Sequence, residues 1–514
     1  MLRPPTFGFN SRRLAHAGAA TVFLAAALAS APAAADAPPK ERLNPDGVEG
    51  AVILCGDKVP DRALDRFFDR AGKDKAQIVV AFEDKADREI AEKLAGELTE
   101  RKPASIGVFQ ANAEDEKFRE ALRAATGVWL TGDRDAGLMD EIRAVQKRGV
   151  AAASGAASAA WPLLPGAVVE PRLDGDKAKD RLFEAVEKSP GRFGLGLGDG
   201  AAVVVRGRRL DALGDGSVTA CLGKSEAKPR REIEIAEKTP NDFTLLRRAA
   251  LARAEPPFPP KEPPAPEVAK GALVIVGGGG MPADVTAKFI ELAGGPDAEI
   301  VVLPTANPGG NPDAEAAFLK RAGAKNVVLL PARTLEEVGD PKTLETLKKA
   351  GGVWFGGGRQ WHFVDAYEGT KAAEAFRDVL RRGGVIGGSS AGATIQGDYL
   401  CRGSPLGNLE MMCEGYERGL GFLPGVAIDQ HFSQRKRFAD MTALMKAYPQ
   451  LLGVGLDEAT ALVVTGHEAA VMGNGAAHFY DAGKPAEEGK PDYEAVQAGG
   501  RYDLKARKVL EPGG

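Results

Sequence analysis

Residues 372–393 read AAEAFRDVLRRGGVIGGSSAGA, and their pattern decides the fold. Apolar residues recur at helical spacing over 372–382. Two glycines then break the pattern, and a short apolar run through Val385 and Ile386 leads into glycines and serines. A helix feeding a buried strand is the building unit of a parallel sheet covered by helices. Helical spacing recurs at 283–293 and 341–350, and buried β runs at 271–275, 300–302 and 352–354. The fold class is therefore α/β.

The same unit is written a second time upstream. Gly50-Ala51-Val52-Ile53-Leu54 corresponds to Gly271-Ala272-Leu273-Val274-Ile275, Ile78-Val79-Val80 to Ile300-Val301-Val302, and Gly127-Val128-Trp129 to Gly352-Val353-Trp354. Leu164-Pro165-Gly166 and Leu423-Pro424-Gly425 each lie 30 residues before a G-x-G-L run, at Gly194 and Gly453. Between 194–216 and 453–475, 9 of 23 positions are identical without a gap. A period above 200 residues marks domain duplication and not a solenoid. Residues 254–268, AEPPFPPKEPPAPEV, read as an extended linker, too stiff and donor-poor for a helix or central strand. The expected organisation is an α/β domain at 49–225, a linker at 226–270, a second α/β domain at 271–482 and a tail at 483–514.

The chain has 514 residues, 64 of them Gly and 34 Pro, with 44% hydrophobic and 27% charged residues. Those fractions exclude wholesale disorder. Gly is about 12% of the chain against a usual ~7%, which suits many tight strand-to-helix turns. Arg3, Arg12 and Arg13 precede an Ala-rich apolar stretch at 17–29 that ends at Ala33-Ala34-Ala35, an A-x-A cleavage pattern. Residues 1–35 therefore read as an export signal, placing the mature protein in the periplasm or outside the cell. Arg12-Arg13 raises a twin-arginine route, but Leu14-Ala15-His16 fits it poorly. No other run reaches the ~18 apolar residues of a spanning helix, so no stable membrane insertion is expected.

Loss of three arginines from 67 basic residues, against 71 acidic ones, leaves a mature net charge of −7. That balance disfavours nucleic acid and anionic membranes as partners. Cys55, Cys221, Cys401 and Cys413 permit two disulfides in an exported protein; Cys401 with Cys413 would staple one loop, and Cys55 with Cys221 is the remaining pair. No C-x-x-C or His/Cys cluster suggests a metal.

Gly388 to Gly392 satisfies G-x-S-x-G with Ser390 at its centre. The chemistry needs a sharp strand-to-helix turn that only small neighbours allow. The Ala391 N–H would then face a developing oxyanion, helped by the helix N-terminus. A glycine- and serine-rich turn that merely packs tightly has the same letters. Serine at its normal pKa needs a general base. Of His16, His362, His431, His467 and His478, His431 follows a strand-like run at 426–428, where α/β folds build sites. A hydrogen-bonded structural histidine is the bland alternative. Glu458, before the strand at 461–464, is the best orienting acid, with Asp457 its immediate rival and Asp429 less suited because it lies too near His431. The chain order Ser, His, acid departs from the α/β-hydrolase order Ser, acid, His. Gly356-Gly357-Gly358, after the strand at 353–354, lets backbone N–H groups approach a substrate and suits Gly358 as the second oxyanion donor. No G-x-G-x-x-G opens a helix there, which removes the dinucleotide reading.

Four motifs together carry a resemblance: G-G-x-Q at Gly357 to Gln360, G-S-S-A-G-A at Gly388 to Ala393, D-Q-H-F-x-x-R-x-R at Asp429 to Arg437 and G-L-D-E-A-T at Gly455 to Thr460. They resemble the cyanophycinase and aspartyl dipeptidase (dipeptidase E-like) family of serine peptidases over most of 271–482. The resemblance implies a class I glutamine amidotransferase-like, flavodoxin-type three-layer α/β fold. It implies a Ser390–His431–Glu458 triad that hydrolyses aspartyl peptide bonds without metal or cofactor. In cyanophycinases the substrate is multi-L-arginyl-poly-L-aspartate, released as β-Asp-Arg dipeptides. Gln360, Asp429, Gln430, Arg435 and Arg437 fall on the family's substrate-contacting positions; a solvated helix face is the alternative for the two arginines. The implied partner is a peptide or cyanophycin-like polymer. Two further readings stay open: an α- or iso-aspartyl dipeptidase, and a non-catalytic binding protein.

One departure concerns specificity. The family run usually has another Arg shortly after Arg437, where this chain has Phe438-Ala439-Asp440. The N-terminal copy departs further. His431 falls on Arg172, Gln430 on Pro171, Glu458 on Asp199, Ser390 on Gly155, Gly358 on Asp133 and Gln360 on Asp135, and the loop 399–420 has no counterpart. That copy reads as catalytically dead, serving to pack against the active domain in place of a homodimer partner, or to bind polymer.

Overall fold

The computed structural model describes residues 42–132, 137–484 and 489–511. The export segment at 1–35, Asp133 and Asp135 lie outside the described residues. The helix expected over 372–382 spans Lys371–Arg381, with the Thr370 side chain accepting from the Ala373 N–H at its start. Ala372, Ala375, Phe376, Val379 and Leu380 are buried, a stripe at helical spacing. Gly383, at φ +93°, turns the chain back into the strand Val385–Ser389.

That strand lies inside a nine-stranded sheet. It pairs in parallel with Gly352–Phe355 on one side and Val268–Val276 on the other. Glu299–Leu303 and Asn326–Leu329 extend the parallel part. Beyond Val268–Val276 the sheet continues antiparallel through Thr460–Gly466, Glu468–Gly473, Arg501–Asp503 and Lys508–Leu510. Leu273 and Ile275 point into one core with Phe355, Phe363 and Phe376, whereas Ala272, Val274 and Val276 point into another with Phe289 and Trp354. With both faces covered, every position must be apolar, which explains runs without polar alternation. A five-stranded sheet, containing Leu423–Gln430 and Leu452–Leu456 in parallel, packs against the first of these cores.

Upstream, a seven-stranded sheet runs Ser105–Gln110, Gln77–Phe82, Gly127–Leu130, Val150–Ser154, Val48–Cys55, Ala201–Gly207 and Arg209–Gly214. Five strands are parallel and the last two antiparallel. The nine-stranded sheet begins with the same succession.

Three expectations change. The segment 226–270 is not a linker throughout: Arg231–Glu234 joins a four-stranded sheet, and the helix Phe243–Arg253 buries Phe243, Leu246, Ala249 and Ala250. The longest stretch of it free of helix and strand is 254–267, as its prolines require. The tail is structural, since Glu494–Gln497, Arg501–Asp503 and Lys508–Leu510 complete the two sheets of the second half. All four cysteines are buried free thiols. Cys401 packs with Tyr399 and Phe432, and Cys413 belongs to a different core, so their closeness in sequence brings no bond.

Buried charges join the halves. Arg208 donates to Asp365 at 2.5 Å, to the Tyr416 hydroxyl at 2.9 Å and to Asp242 at 2.8 Å. Arg248 reaches Asp365 at 3.3 Å and also pairs with Glu368. Asp365 is 3% exposed at its side chain and lies on the helix Trp361–Tyr367, directly after Gln360. A buried carboxylate is stable only while paired. Asp365→Ala leaves two guanidiniums short of a partner, and it is expected to lower stability by about 3–5 kcal/mol in urea unfolding. A loss below about 1 kcal/mol, the scale of an exposed pair, would contradict a structural role.

Candidate active site

Ser390 follows Val385–Ser389 at φ +56° and ψ −112°, a left-handed conformation that side chains rarely adopt. Its N–H donates to the Val276 carbonyl at 3.0 Å, and the one-turn helix Ala391–Thr394 begins at the next residue. The turn is tight enough that a Cβ on Gly392 would lie 2.0 Å from the Phe355 carbonyl oxygen. G-x-S-x-G is thus a steric requirement here, as its spacing suggested.

His431 extends from Leu423–Gln430 at φ +50°, its N–H donating to Gly277 at 2.8 Å. Its Nε2 lies 3.0 Å from the Ser390 Oγ, and its Nδ1 lies 2.5 Å from the Glu458 Oε1. A carboxylate only accepts, so Nδ1 carries the proton and Nε2 presents its lone pair to the hydroxyl. Burial holds the imidazole pKa below the ordinary histidine value; the Glu458 hydrogen bond opposes this, and the nearby Arg435 and Arg437 charges reinforce it. Neutral His431 is the form able to accept the Ser390 proton.

Asp457 is committed elsewhere. Its Oδ1 lies 3.2 Å from His478 Nε2 and accepts from the Ser433 N–H at 3.1 Å, while its Oδ2 accepts from the Ala476 N–H at 3.2 Å. Burial works against its charge, but the His478 and Ser433 hydrogen bonds prevail and hold it at about 2. Glu458 is the residue in reach of His431, with its own N–H donating to Gln434 Oε1 at 2.9 Å.

The loop after Val268–Val276 was not singled out from the sequence, yet it underlies this pair. A Cβ on Gly278 would lie 2.4 Å from His431 Cε1, and one on Gly279 would lie 2.6 Å from Glu458 Oε2. The available signal was the run Gly277-Gly278-Gly279-Gly280 at a strand end.

The second glycine loop reaches the same place, since a Cβ on Gly357 would sit 3.8 Å from the Ser390 Cβ. The Gly357 N–H is taken by Glu315, whose burial raises its pKa against that hydrogen bond. Among the described residues, no backbone or side-chain acceptor meets the N–H of Gly358 or of Ala391.

The five expected substrate contacts divide. Arg435 is exposed beside His431. Gln360, Asp429, Gln430 and Arg437 are buried. Gln360 Nε2 donates to the carbonyls of Cys401 at 2.8 Å and Arg402 at 2.7 Å. Arg437 donates to Asp429 at 2.8 Å and to the Gln430 carbonyl at 2.7 Å. Arg437 and Asp429 thus hold the segment that carries His431, and Gln360 holds the backbone at 401–402. Gln430 Oε1 is buried without a partner among the described residues.

Arg402, absent from the sequence reading, completes this network. It donates to Asp429 from Nε at 3.1 Å, to the Asn408 and Leu409 carbonyls at 3.2 and 3.1 Å, and to Asp440 at 2.6 Å. Asp440 is therefore not an uncompensated anion: a cation from another segment meets it. His467 and His478 stand away from the pair, as structural histidines, against Asp503 at 3.7 Å and Asp457 at 3.2 Å.

A family model described as Peptidase family S51 matches residues 273–472. The cyanophycinase of Geminocystis herdmanii is 30% identical over 203 residues, covering 38% of this chain and 75% of that one. Those of Trichormus variabilis and Synechococcus elongatus are 28% and 29% identical, over 38% and 41% of this chain and 69% and 68% of theirs. Fold and likeness together define a hydrolase, a peptidase of the serine type. The chain belongs to peptidase family S51.

Proposed function

We propose that the chain is an exported peptidase of cyanophycinase type, cutting aspartyl peptide bonds through Ser390, His431 and Glu458. The observation that carries this reading is the continuous 3.0 and 2.5 Å relay from Oγ through the imidazole to the carboxylate. Ser390 attacks the scissile carbonyl while His431 Nε2 takes its proton, and Glu458 stabilises the imidazolium. The oxyanion is received by the N–H groups of Ala391 and Gly358. His431 then protonates the leaving amine, and water resolves the acyl-serine ester. No step calls for a metal or a cofactor. Arg435, exposed beside His431, is placed to meet a substrate carboxylate, whereas Gln360, Asp429 and Arg437 are buried.

We read residues 49–225 as an inactive copy of the catalytic half. Support comes from the shared strand succession and from Gly155, which follows its strand at φ +57° and ψ −133°, close to the Ser390 geometry. Val150–Ser154 pairs with Val48–Cys55 as Val385–Ser389 pairs with Val268–Val276. The turn persists without a hydroxyl. Arg172, in the place of the base, pairs with Asp57.

A second reading, an α- or iso-aspartyl dipeptidase, is favoured by the run Phe438-Ala439-Asp440, which lacks the Arg that the family usually carries shortly after Arg437. Incubation with cyanophycin and with α- and iso-Asp-X dipeptides separates the two. Release of β-Asp-Arg from the polymer is the expected result. Free Asp from the dipeptides, with the polymer intact, would replace the first reading by the second.

A further inference from the structure

The N-terminal half carries a cleft of about 290 Å³ between the helix Asp61–Ala71 and the strands Ala201–Gly207 and Arg209–Gly214. Five cations line it: Arg66, Arg70, Arg206, Arg209 and Lys238. Its two acids are already engaged, Asp211 by Arg209 at 2.7 Å and Glu237 by Arg62 at 3.1 Å. Among the described residues, no carboxylate forms an ion pair with Arg66, Arg70 or Arg206, and the Arg70 Nε is buried without an acceptor. Burial, then the charges of Arg206 and Arg66, depress the Arg70 pKa, with Asp69 opposing them. Crowded like charges repel, and their guanidinium forks match oxyanions in pairs. This concentration of positive charge is found on a chain of net charge −4.

We infer that this cleft binds carboxylates displayed along a peptide polymer, in cyanophycin the α-carboxylates of its arginines, so that the half without a nucleophile holds polymer for the half that has one. A carboxylate ligand is chosen over phosphate because Val204 and Leu213 supply apolar wall between the guanidiniums, suited to the methylenes of a peptide. The inference rests on the reading of the chain as a peptidase of aspartyl polymers. At two corresponding positions of the catalytic half, Thr465 for Arg206 and Glu468 for Arg209, the cation is missing.

The test uses the full chain with Ser390→Ala and a fluorescein-labelled deca-L-aspartate, followed by anisotropy. Adding Arg66→Gln, half-buried, and Arg206→Gln, exposed, should weaken binding at least about tenfold, the loss of charge-assisted hydrogen bonds. Unchanged affinity would overturn the inference, as would displacement of the peptide by inorganic phosphate at equal concentration. On the wild-type background the same two substitutions should raise KM for polymer and leave hydrolysis of Asp-X dipeptides unaltered. Equal loss on both substrates would also overturn it. Because binding is read without turnover, an error in the triad and an error in the cleft give different results.

Discussion

Replacing Ser390 or His431 by Ala is expected to lower turnover by about 10⁴- to 10⁶-fold. Circular dichroism and the thermal midpoint should stay near those of the parent protein. Among the described residues, Ser390 supplies the only hydroxyl that meets the His431 Nε2. The sharper variant is Ser390→Gly. At φ +56° a glycine relieves the strain of a side chain in the left-handed region, so this variant should be inactive yet at least as stable as wild type. Gly155 already occupies that conformation in the first half. Turnover within about tenfold of wild type in either alanine variant, far less than removal of a triad member costs, would end the nucleophile and base assignment.

The second large effect separates two adjacent acids. Glu458→Gln should cost about 10⁴-fold in turnover, because an amide that donates to Nδ1 moves the ring proton to Nε2 and removes the base. Asp457→Asn should change turnover little and lower stability by about 1.5–3 kcal/mol, since it weakens hydrogen bonds to a charged group. The reverse ranking would transfer the orienting role to Asp457. The pH profile follows from the same contacts. His431 acts as the neutral form and its pKa lies below the ordinary histidine value, so kcat/KM should rise with pH along a limb below that value and be level by neutrality. Glu458 favours the protonated ring, so Glu458→Ala should move this limb to still lower pH. Arg435 disfavours it, so Arg435→Gln should move the limb up. A limb that stays in place in both variants would mean that another group titrates.

Much of this site was legible because the chemistry is local. The turn at Ser390 needs small residues at fixed offsets, and those offsets are visible as letters. His431 stood out from the scarcity of histidine and its position after an apolar run. Glu458 was preferred to Asp457 for its place before the strand at 461–464 and by the family motif, but the contacts that separate the two were not legible. Neighbouring residues at the end of a strand point to opposite sides, and the assignment depends on whether His431 or His478 lies on a given side. Arg402 was invisible for a related reason. A buried arginine and a solvated one are the same letter, and its partners lie 27 and 38 residues away.

By itself the sequence determined the α/β class, the helix–strand–turn unit around Ser390 and the motifs that name the family. These are short-range properties, carried by periodicity and by residues a few positions apart. Only the tertiary structure decided that Asp457 is taken up by His478, that Asp429 and Arg437 pair below the surface while Gln360 holds the backbone at 401–402, and that the tail and parts of the supposed linker belong to sheets and cores. Each of these depends on strands pairing across large separations in sequence. The edge positions that accept the tail are created by that pairing and exist nowhere in the local pattern. The charges joining the halves at Asp365 follow the same rule: their partners become neighbours only once both cores have formed.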